Sequence, residues 1–316
     1  EGGLLRVAAR GEGLVLDPQE PGLGEPPLGP REHNVGRNQT LVALLVAVPF
    51  LGAEEIHDAA KNGDLAAVQR ILAGQPELVK AVNERGYTPL HIAANEGRLE
   101  IAAFLLEKGA ELEAKNRTGF TPLFLAVLGK RQETVKFLLD KGADPNAQTR
   151  FQTTPLFTAA ESGNVEVIRL LLERGAKVDH VSPFFGGALH RAAYMDFPEA
   201  AKALLDAGAD LKVVDQRGQT PLHQAAQLGR VAVARLFAER GADVDASDRG
   251  GRSPLHWAVM AGTDRSGANN SSELGFLLLG RGAKAGTADA DGLTPLRTAV
   301  QKGLTDLAGA ILRRGG

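Results

Sequence analysis

Five of the seven histidines occupy one register. His57, His91, His190, His223 and His256 are separated by 33 residues, by three times that, or by 34. Imidazole is a common metal ligand and the usual general base near neutral pH, so such a row has the right groups for metal binding or proton transfer. His33 and His180 stand apart from it. The partners that chemistry needs are missing. With no cysteine in the chain, thiolate nucleophiles, Cys-ligated zinc and disulfides are excluded. The sequence carries no His-Glu-x-x-His, no Gly-x-Ser-x-Gly and no phosphate loop ending in Gly-Lys-Ser/Thr. Nothing meets the requirement for a nucleophile, a base and a group to orient it. The expectation is a protein that is not an enzyme and uses no cofactor or metal.

The 316 residues contain 36 basic and 38 acidic side chains, a net charge of −2. That balance gives no drive toward nucleic acid or an anionic membrane surface. The hydrophobic share of 43% suffices for a sizeable core, while aromatics are only 5% and glycines number 38. Such a mixture favours short helices joined by tight turns.

The elements that place the histidines repeat. Gly109, Gly142, Gly175, Gly208 and Gly241 fall at steps of 33, each followed by Ala; Gly282 follows after 41 and Gly315 after another 33. Leu90, Leu123, Leu156, Leu189, Leu222 and Leu255 keep the same step, and Leu296 follows after 41. The text Thr88-Pro89-Leu90-His91 returns as Thr220-Pro221-Leu222-His223, with Ser253-Pro254-Leu255-His256 a near copy. Thr121-Pro122-Leu123 and Thr154-Pro155-Leu156 end in Phe, and Thr294-Pro295-Leu296 ends in Arg. Thr or Ser caps free N–H groups, and proline suits a first helical turn. A second helix follows, such as Leu99 to Leu106, with apolar residues at three- and four-residue spacing.

A 33-residue period with this text resembles the ankyrin-repeat family from Glu54 to the end of the chain. The resemblance implies an all-α solenoid of about eight helix-turn-helix units with β-hairpin fingers. The units are 54–85, 86–118, 119–151, 152–184, 185–217, 218–250, 251–291 and 292–316. It also implies a structural histidine that bridges backbone groups of adjacent turns. Equivalent atoms in neighbouring units of such a stack lie about 10 Å apart, too far for one metal to span. Two departures stand out. The fifth unit has Gly186-Gly187-Ala188 in place of Thr-Pro, so its first helix should start less firmly. The seventh carries about eight extra residues near 263–270.

The first 53 residues read differently. Residues 1–36 are Pro- and Gly-rich without period, as in a disordered or non-native upstream segment. Residues 37–53 combine Arg37, an uncharged apolar run from Leu41 to Leu51 and Gly52-Ala53, the parts of a signal peptide. A start codon at Val35 would give that leader an ordinary beginning. The mature chain is then expected in the periplasm or secreted; without a working leader it is cytoplasmic. The apolar run is too short to span a bilayer.

Function in a repeat array lies on variable positions that project from a constant frame. The family resemblance puts these on the finger tips and after the Ala pair of each first helix. The candidate partner-binding residues are Arg85, Tyr87, Arg117, Phe120, Leu128, Arg150, Phe151, Phe184, Tyr194, Met195, Arg217, Leu228 and Met260. Aromatic and Arg residues dominate binding hot spots, and an Arg beside a ring can stack on it. Trp257 is expected to pack instead. The chain is expected to be a monomeric scaffold that binds a protein, not nucleic acid, with a regulatory or inhibitory subunit of a neighbouring enzyme as the alternative. The leader reading predicts that Edman sequencing of the protein purified from its source begins at Glu54; a start upstream of residue 37 removes the leader.

Overall fold

Thr-Pro builds the same helix start in unit after unit. In the computed structural model, which describes residues 52–261 and 270–316, Thr88, Thr121, Thr154, Thr220 and Thr294 lie in extended backbone at N-cap positions. Each hydroxyl oxygen accepts from the N–H three residues on. Proline takes the first helical position, where an N–H would have no intrahelical partner.

Eight helix pairs result. The first is α1 (52–62) with α2 (Leu65–Gly74), followed by a 3-10 turn at Pro76–Lys80. Then come α3 (Pro89–Glu96) and α4 (Leu99–Glu107), α5 (Pro122–Leu128) and α6 (Gln132–Asp140), α7 (Pro155–Ser162) and α8 (Val165–Glu173). The last four pairs are α9 (Ala188–Met195) and α10 (Pro198–Asp206), α11 (Pro221–Gln227) and α12 (Val231–Glu239), α13 (Pro254–Met260) and α14 (Ser271–Gly280), α15 (Pro295–Gln301) and α16 (Thr305–Arg313). From α3 to α15 each odd-numbered helix packs on the next odd one, and from α2 to α16 each even-numbered helix packs on the next even one. The array is therefore two layers of helices with the core between successive pairs.

The Ala pairs Ala93-Ala94, Ala159-Ala160, Ala192-Ala193 and Ala225-Ala226 are fully buried, so the first helices approach closely. Larger side chains there would overpack the stack by about 1–3 kcal/mol. The repeat leucines Leu90, Leu123, Leu156, Leu222 and Leu255 fill the interior beside them; each is worth roughly 1.5–3 kcal/mol when fully buried. The second helices bury one face, as α8 does with Val167, Ile168 and Leu171. Gly109 and its equivalents end them at φ near +90°, for example 91° at Gly109 and 90° at Gly142. The Ala110 N–H then bonds back to the Leu105 carbonyl at 2.9 Å. This is the left-handed stop in which glycine carries no Cβ penalty.

The repeat histidine is frame. In His91, Nδ1 accepts from the Thr88 N–H at 3.0 Å and Nε2 donates to the Phe120 carbonyl at 2.9 Å. His223 repeats the arrangement between Thr220 and Arg252, and His256 between Ser253 and Leu293. One nitrogen ties the start of a helix; the other ties that helix to the loop one unit further on. In the fifth unit, Nδ1 of His190 accepts from the Gly187 N–H at 3.2 Å and Nε2 donates to the Gln219 carbonyl at 2.9 Å. The first helix of that unit, α9, thus keeps a fixed start without Thr-Pro.

The loops differ from the expected hairpins. In six of them one carbonyl closes the turn, as where the Asn83 N–H meets the Tyr87 carbonyl at 3.0 Å and the Asn116 N–H meets Phe120 at 3.0 Å. A side chain, for example Asn116 Oδ1, collects further N–H groups at the tip. An Asx-type turn of this kind needs no strand ladder. Among the described residues, strand pairing occurs once: β1 (Val181–Ser182) runs antiparallel to β2 (Gly186–Gly187), with Val181 opposite Gly187. The insertion near 263–270 lies almost wholly outside the described residues, as do the proposed leader up to residue 51 and residues 1–36. Gly52 and Ala53 belong to α1, and the Ala53 carbonyl faces Nδ1 of His57.

Burial lowers the pKa of His91 to about 4, against smaller opposing effects of its hydrogen bonds. His190, His223 and His256 are lowered for the same first cause. Acid protonates these rings in the unfolded chain first, since an unperturbed histidine titrates near 6.5. Their stabilisation is complete above that pH and is lost as pH falls from about 6.5 toward the folded values. Urea unfolding should therefore show stability flat above about pH 7 and falling below it, by up to ~1.4 kcal/mol per pH unit for each histidine. His223→Gln should lower stability at pH 7.5 by about 1–3 kcal/mol while making the acid slope shallower.

Candidate functional site

The candidate residues divide by what their side chains touch. Tyr87 is half-buried and lies 5.8 Å from the His91 ring. Phe120 is half-buried and stacks on buried Phe124, with centroids 4.7 Å apart and planes at 12°. These two rings fold back and brace their own units. Phe151 and Phe184 remain outside, 47% and 60% exposed, and meet edge-on at 5.9 Å. Tyr194, near the end of α9, is also exposed, and Met195 beside it is half-buried. Leu128 at the end of α5 is exposed; Leu228 and Met260, at and near the ends of α11 and α13, are half-buried.

Three residues that sequence reasoning passed over complete the group. Phe185 is 48% exposed and contacts Phe151, Phe184 and buried Phe157 at 6.1–6.2 Å. The Arg191 guanidinium sits over Phe157 at 5.5 Å and over Tyr194 at 4.8 Å. It also pairs with Glu161 on α7. The rings thus form one chain, Phe184–Phe151–Phe185–Phe157, continued through Arg191 to Tyr194. Each ring contact is worth about 0.5–1.5 kcal/mol, and a cation over a ring a similar amount. The signal was present in the sequence: Phe185 stands at the position that is glycine in other fingers, as at Gly86, Gly119 and Gly218.

Side chains set this cluster in place. His180, which the sequence left isolated, puts Nε2 2.7 Å from the Gln152 carbonyl. The Ser182 hydroxyl donates to the Phe151 carbonyl at 2.7 Å. The hairpin is thereby tied to the preceding finger. Three non-glycine residues in this region lie in the left-handed region: Lys130, Gln152 and Asp196, at φ 58°, 55° and 63°. Glycine occupies the matching positions elsewhere, for example Gly97, Gly119 and Gly229.

The finger arginines behave differently from expectation. Among the described residues, Arg191 and Arg252 are the arginines over aromatic rings, whereas Arg85, Arg117, Arg150 and Arg217 stack on none. Trp257 packs as expected. Its Nε1 donates to Asp248 at 2.8 Å, and Arg252 covers its face at 5.4 Å while bonding Asp289 at 3.0 Å. Burial pushes the Asp248 carboxyl up, but hydrogen bonds from the Arg252 and Gly250 N–H groups and from Trp257 outweigh it and hold it below the usual value. This second cluster is internally satisfied and braces the sixth and seventh units. Among the described residues, no three acidic or histidine side chains converge to hold a metal. No described helix is long and apolar enough to cross a membrane.

A family model described as "Ankyrin repeats (3 copies)" matches residues 56–149 and 189–266, and a second, "Ankyrin repeats (many copies)", matches 129–172 and 156–205. The chain belongs to the ankyrin-repeat family. Ankyrin repeats are, in general, protein-interaction modules, and the fold is typically non-catalytic. The human ASB11 ankyrin repeat domain superposes with a TM-score of 0.61 at 29% identity, covering 72% of this chain and 96% of that one. The ankyrin repeat domain of Bcl-3, a member of the IkappaB protein family, gives 0.61 at 30% identity, covering 71% and 99%. In sequence, the chain is 42% identical over 57 residues to the NAD-capped RNA hydrolase NUDT12 of Homo sapiens, which is 18% of this chain and 12% of the hydrolase. It is 31% identical over 83 residues to human protein phosphatase 1 regulatory subunit 27, covering 26% of this chain and 53% of that one. The ankyrin stretch therefore spans only about an eighth of the hydrolase and half of the regulatory subunit.

The left-handed residues allow a direct measurement. Lys130→Gly and Gln152→Gly should each raise stability by about 1 kcal/mol in urea unfolding, because a Cβ disfavours that conformation. A loss of stability would mean those side chains make compensating contacts.

Proposed function

We propose that the array is a non-catalytic scaffold that holds a protein partner on the finger tips and the adjoining ends of the first helices. The contact is centred on Phe151, Phe184, Phe185 and Tyr194, with Leu128 and the finger arginines Arg85, Arg117, Arg150 and Arg217 around it. One observation carries this reading: four large rings lie 39–60% exposed in one connected group, in a chain with few aromatics. Exposed apolar patches of that kind mark interaction sites far more often than they serve folding. Tyr87 and Phe120 support the frame and are left out of the contact; Met195, Leu228 and Met260 lie at its edge or beyond it.

The scaffold acts as a monomer with no nucleic-acid ligand, in keeping with its charge. Export of the unit 54–316 after removal of residues 37–53 belongs to the same proposal and rests on the leader pattern. A second reading is a regulatory or inhibitory subunit of an enzyme encoded nearby. The local similarity to a phosphatase regulatory subunit favours it, and it would use the same surface.

The combined variant Phe151→Ala, Phe184→Ala, Phe185→Ala and Tyr194→Ala should keep the circular dichroism of the parent and lose its partners in quantitative affinity capture from the source organism. Removing exposed anchors of this type typically costs 2 kcal/mol or more each, so roughly 30-fold or greater loss is expected. Unchanged capture by a folded variant would place the contact elsewhere.

A further inference from the structure

The fingers carry a row of unpaired charge. Arg85, Arg117, Arg150, Arg217 and Arg249 occupy equivalent tips and are all exposed. Every other arginine in the first-helix and finger layer that forms an ion pair does so with a named carboxylate: Arg131 with Glu96, Arg191 with Glu161, Arg252 with Asp289 and Asp291. Among the described residues, the five tip arginines have no carboxylate within ion-pair distance. The carboxylates Glu96 and Glu161 on the adjoining helices are already neutralised by those other arginines. On the tips themselves, Asp215, Asp248 and Asp289 accept N–H groups of their own turns, and Asp289 and Asp291 pair with Arg252. Glu84 is then the exposed tip carboxylate that stands against the five unpaired guanidiniums.

The backbone keeps the row in line. The Arg117 N–H meets the Arg85 carbonyl at 3.4 Å, the Arg150 N–H meets Thr118 at 3.0 Å, and the Arg249 N–H meets Arg217 at 3.0 Å. The Arg117 stem lies across Gly86, and the Arg249 stem across Gly218, where an added Cβ would come within 3.2 Å and 3.1 Å of the respective Cγ. Those glycines also sit at φ 77° and 74°. Arg117 and Arg249 are thus laid over the finger before them, and among the described residues none of the five guanidiniums pairs with a carboxylate. Between Arg150 and Arg217, Pro183-Phe184-Phe185 takes the place of arginine and the aromatic group described above interrupts the row; the row ends at the last finger, whose tip is Asp289-Ala290-Asp291.

We infer that the occupant of this edge is an extended acidic peptide segment of a partner protein, carrying an apolar or aromatic residue opposite Phe184. This rests on the scaffold reading and names the partner's chemistry. Fingers of successive units are spaced by about one helix-packing distance, 8–10 Å. An extended chain advances ~3.3 Å per residue. The matching peptide therefore places Asp or Glu at about every third position, with the apolar residue where the arginine row is broken. Arginine suits the role because its planar fork holds a carboxylate by two hydrogen bonds. A nucleic-acid strand fits less well: it brings a phosphate at each nucleotide and gains from stacking platforms, whereas the aromatic group lies at a single point in the row.

The test uses the full chain as bait for a displayed library of random 15-residue peptides, followed by affinity measurement on the recovered sequences. Recovered peptides should be enriched in Asp and Glu at about three-residue intervals, with a central aromatic or apolar residue. Their affinity should fall as salt rises. The five-fold Arg→Glu variant, whose replaced guanidiniums form no ion pair in the frame, should keep its melting temperature and bind at least about tenfold more weakly. Recovery of neutral or basic peptides, bound equally by the Arg→Glu variant but lost on removing the four rings, overturns the acidic assignment and leaves the scaffold reading standing. No recovery at all overturns both. A 15-nucleotide single strand that displaces the recovered peptides at lower concentration than they bind also overturns the assignment.

Discussion

One hydrogen bond, made again in unit after unit, is what the array depends on. The Nε2–H of a repeat histidine donates to a carbonyl 29 residues further along, as from His91 to Phe120 and from His223 to Arg252. Nδ1 of the same ring accepts at the start of its own helix. A neutral imidazole is one of few side chains that can accept at one end and donate at the other. The bond joins a helix to the next loop, so a unit's finger is positioned by its neighbour's core. In a solenoid whose units touch only their neighbours, such links carry cooperativity along the chain. Two units keep Phe at this position, Phe124 and Phe157, and there ring packing replaces the polar link.

That frame leaves the finger tips free to differ. Their main-chain groups are already satisfied by turn closure and by bonds to the adjacent finger. Buried polar groups so paired impose no demand on the tip side chains. The unsatisfied chemistry of the molecule collects there: guanidiniums without counter-ions, and rings with half their surface in water. The aromatic group and the residues of positive φ fall in the same stretch, the third to fifth units, where the repeat text is least regular. Locally strained backbone tends to persist where it positions something useful.

The helices, their number and the buried leucines were legible in the sequence because each follows from short-range chemistry repeated at a fixed period. Thr-Pro starts a helix wherever it occurs, and Gly at φ near +90° ends one. The structural part of the histidine was legible for the same reason. The candidate site was legible only in part. Phe120 and Phe151 fall close together in the repeat, one before a Thr-Pro and the other at a fingertip, yet Phe120 finds Phe124 one turn along and folds inward. Phe151 finds Phe184 and Phe185 and stays out. That difference depends on contacts between units, which spacing along one chain does not encode. Arg191 was hidden for a related reason: its partners Glu161 and Phe157 lie 30 and 34 residues back. The absence of strands from most loops also escaped pattern reading, because one carbonyl and one Asn or Asp side chain suffice to close such a turn.

The seventh unit bears on how the chain can grow. His256 reaches its carbonyl at Leu293 across 37 residues rather than 29, and the bond survives at 3.2 Å. The additional residues enter between α13 and α14, while Ser271 and Asn270 anchor the return by bonding to the Ala261 and Gly229 carbonyls. The seam between the two helices of a unit is thus a port: material can be added there without shifting the register of anything downstream. A domain or an epitope spliced at that point would ride on the array as cargo, held by a frame that does not sense its length.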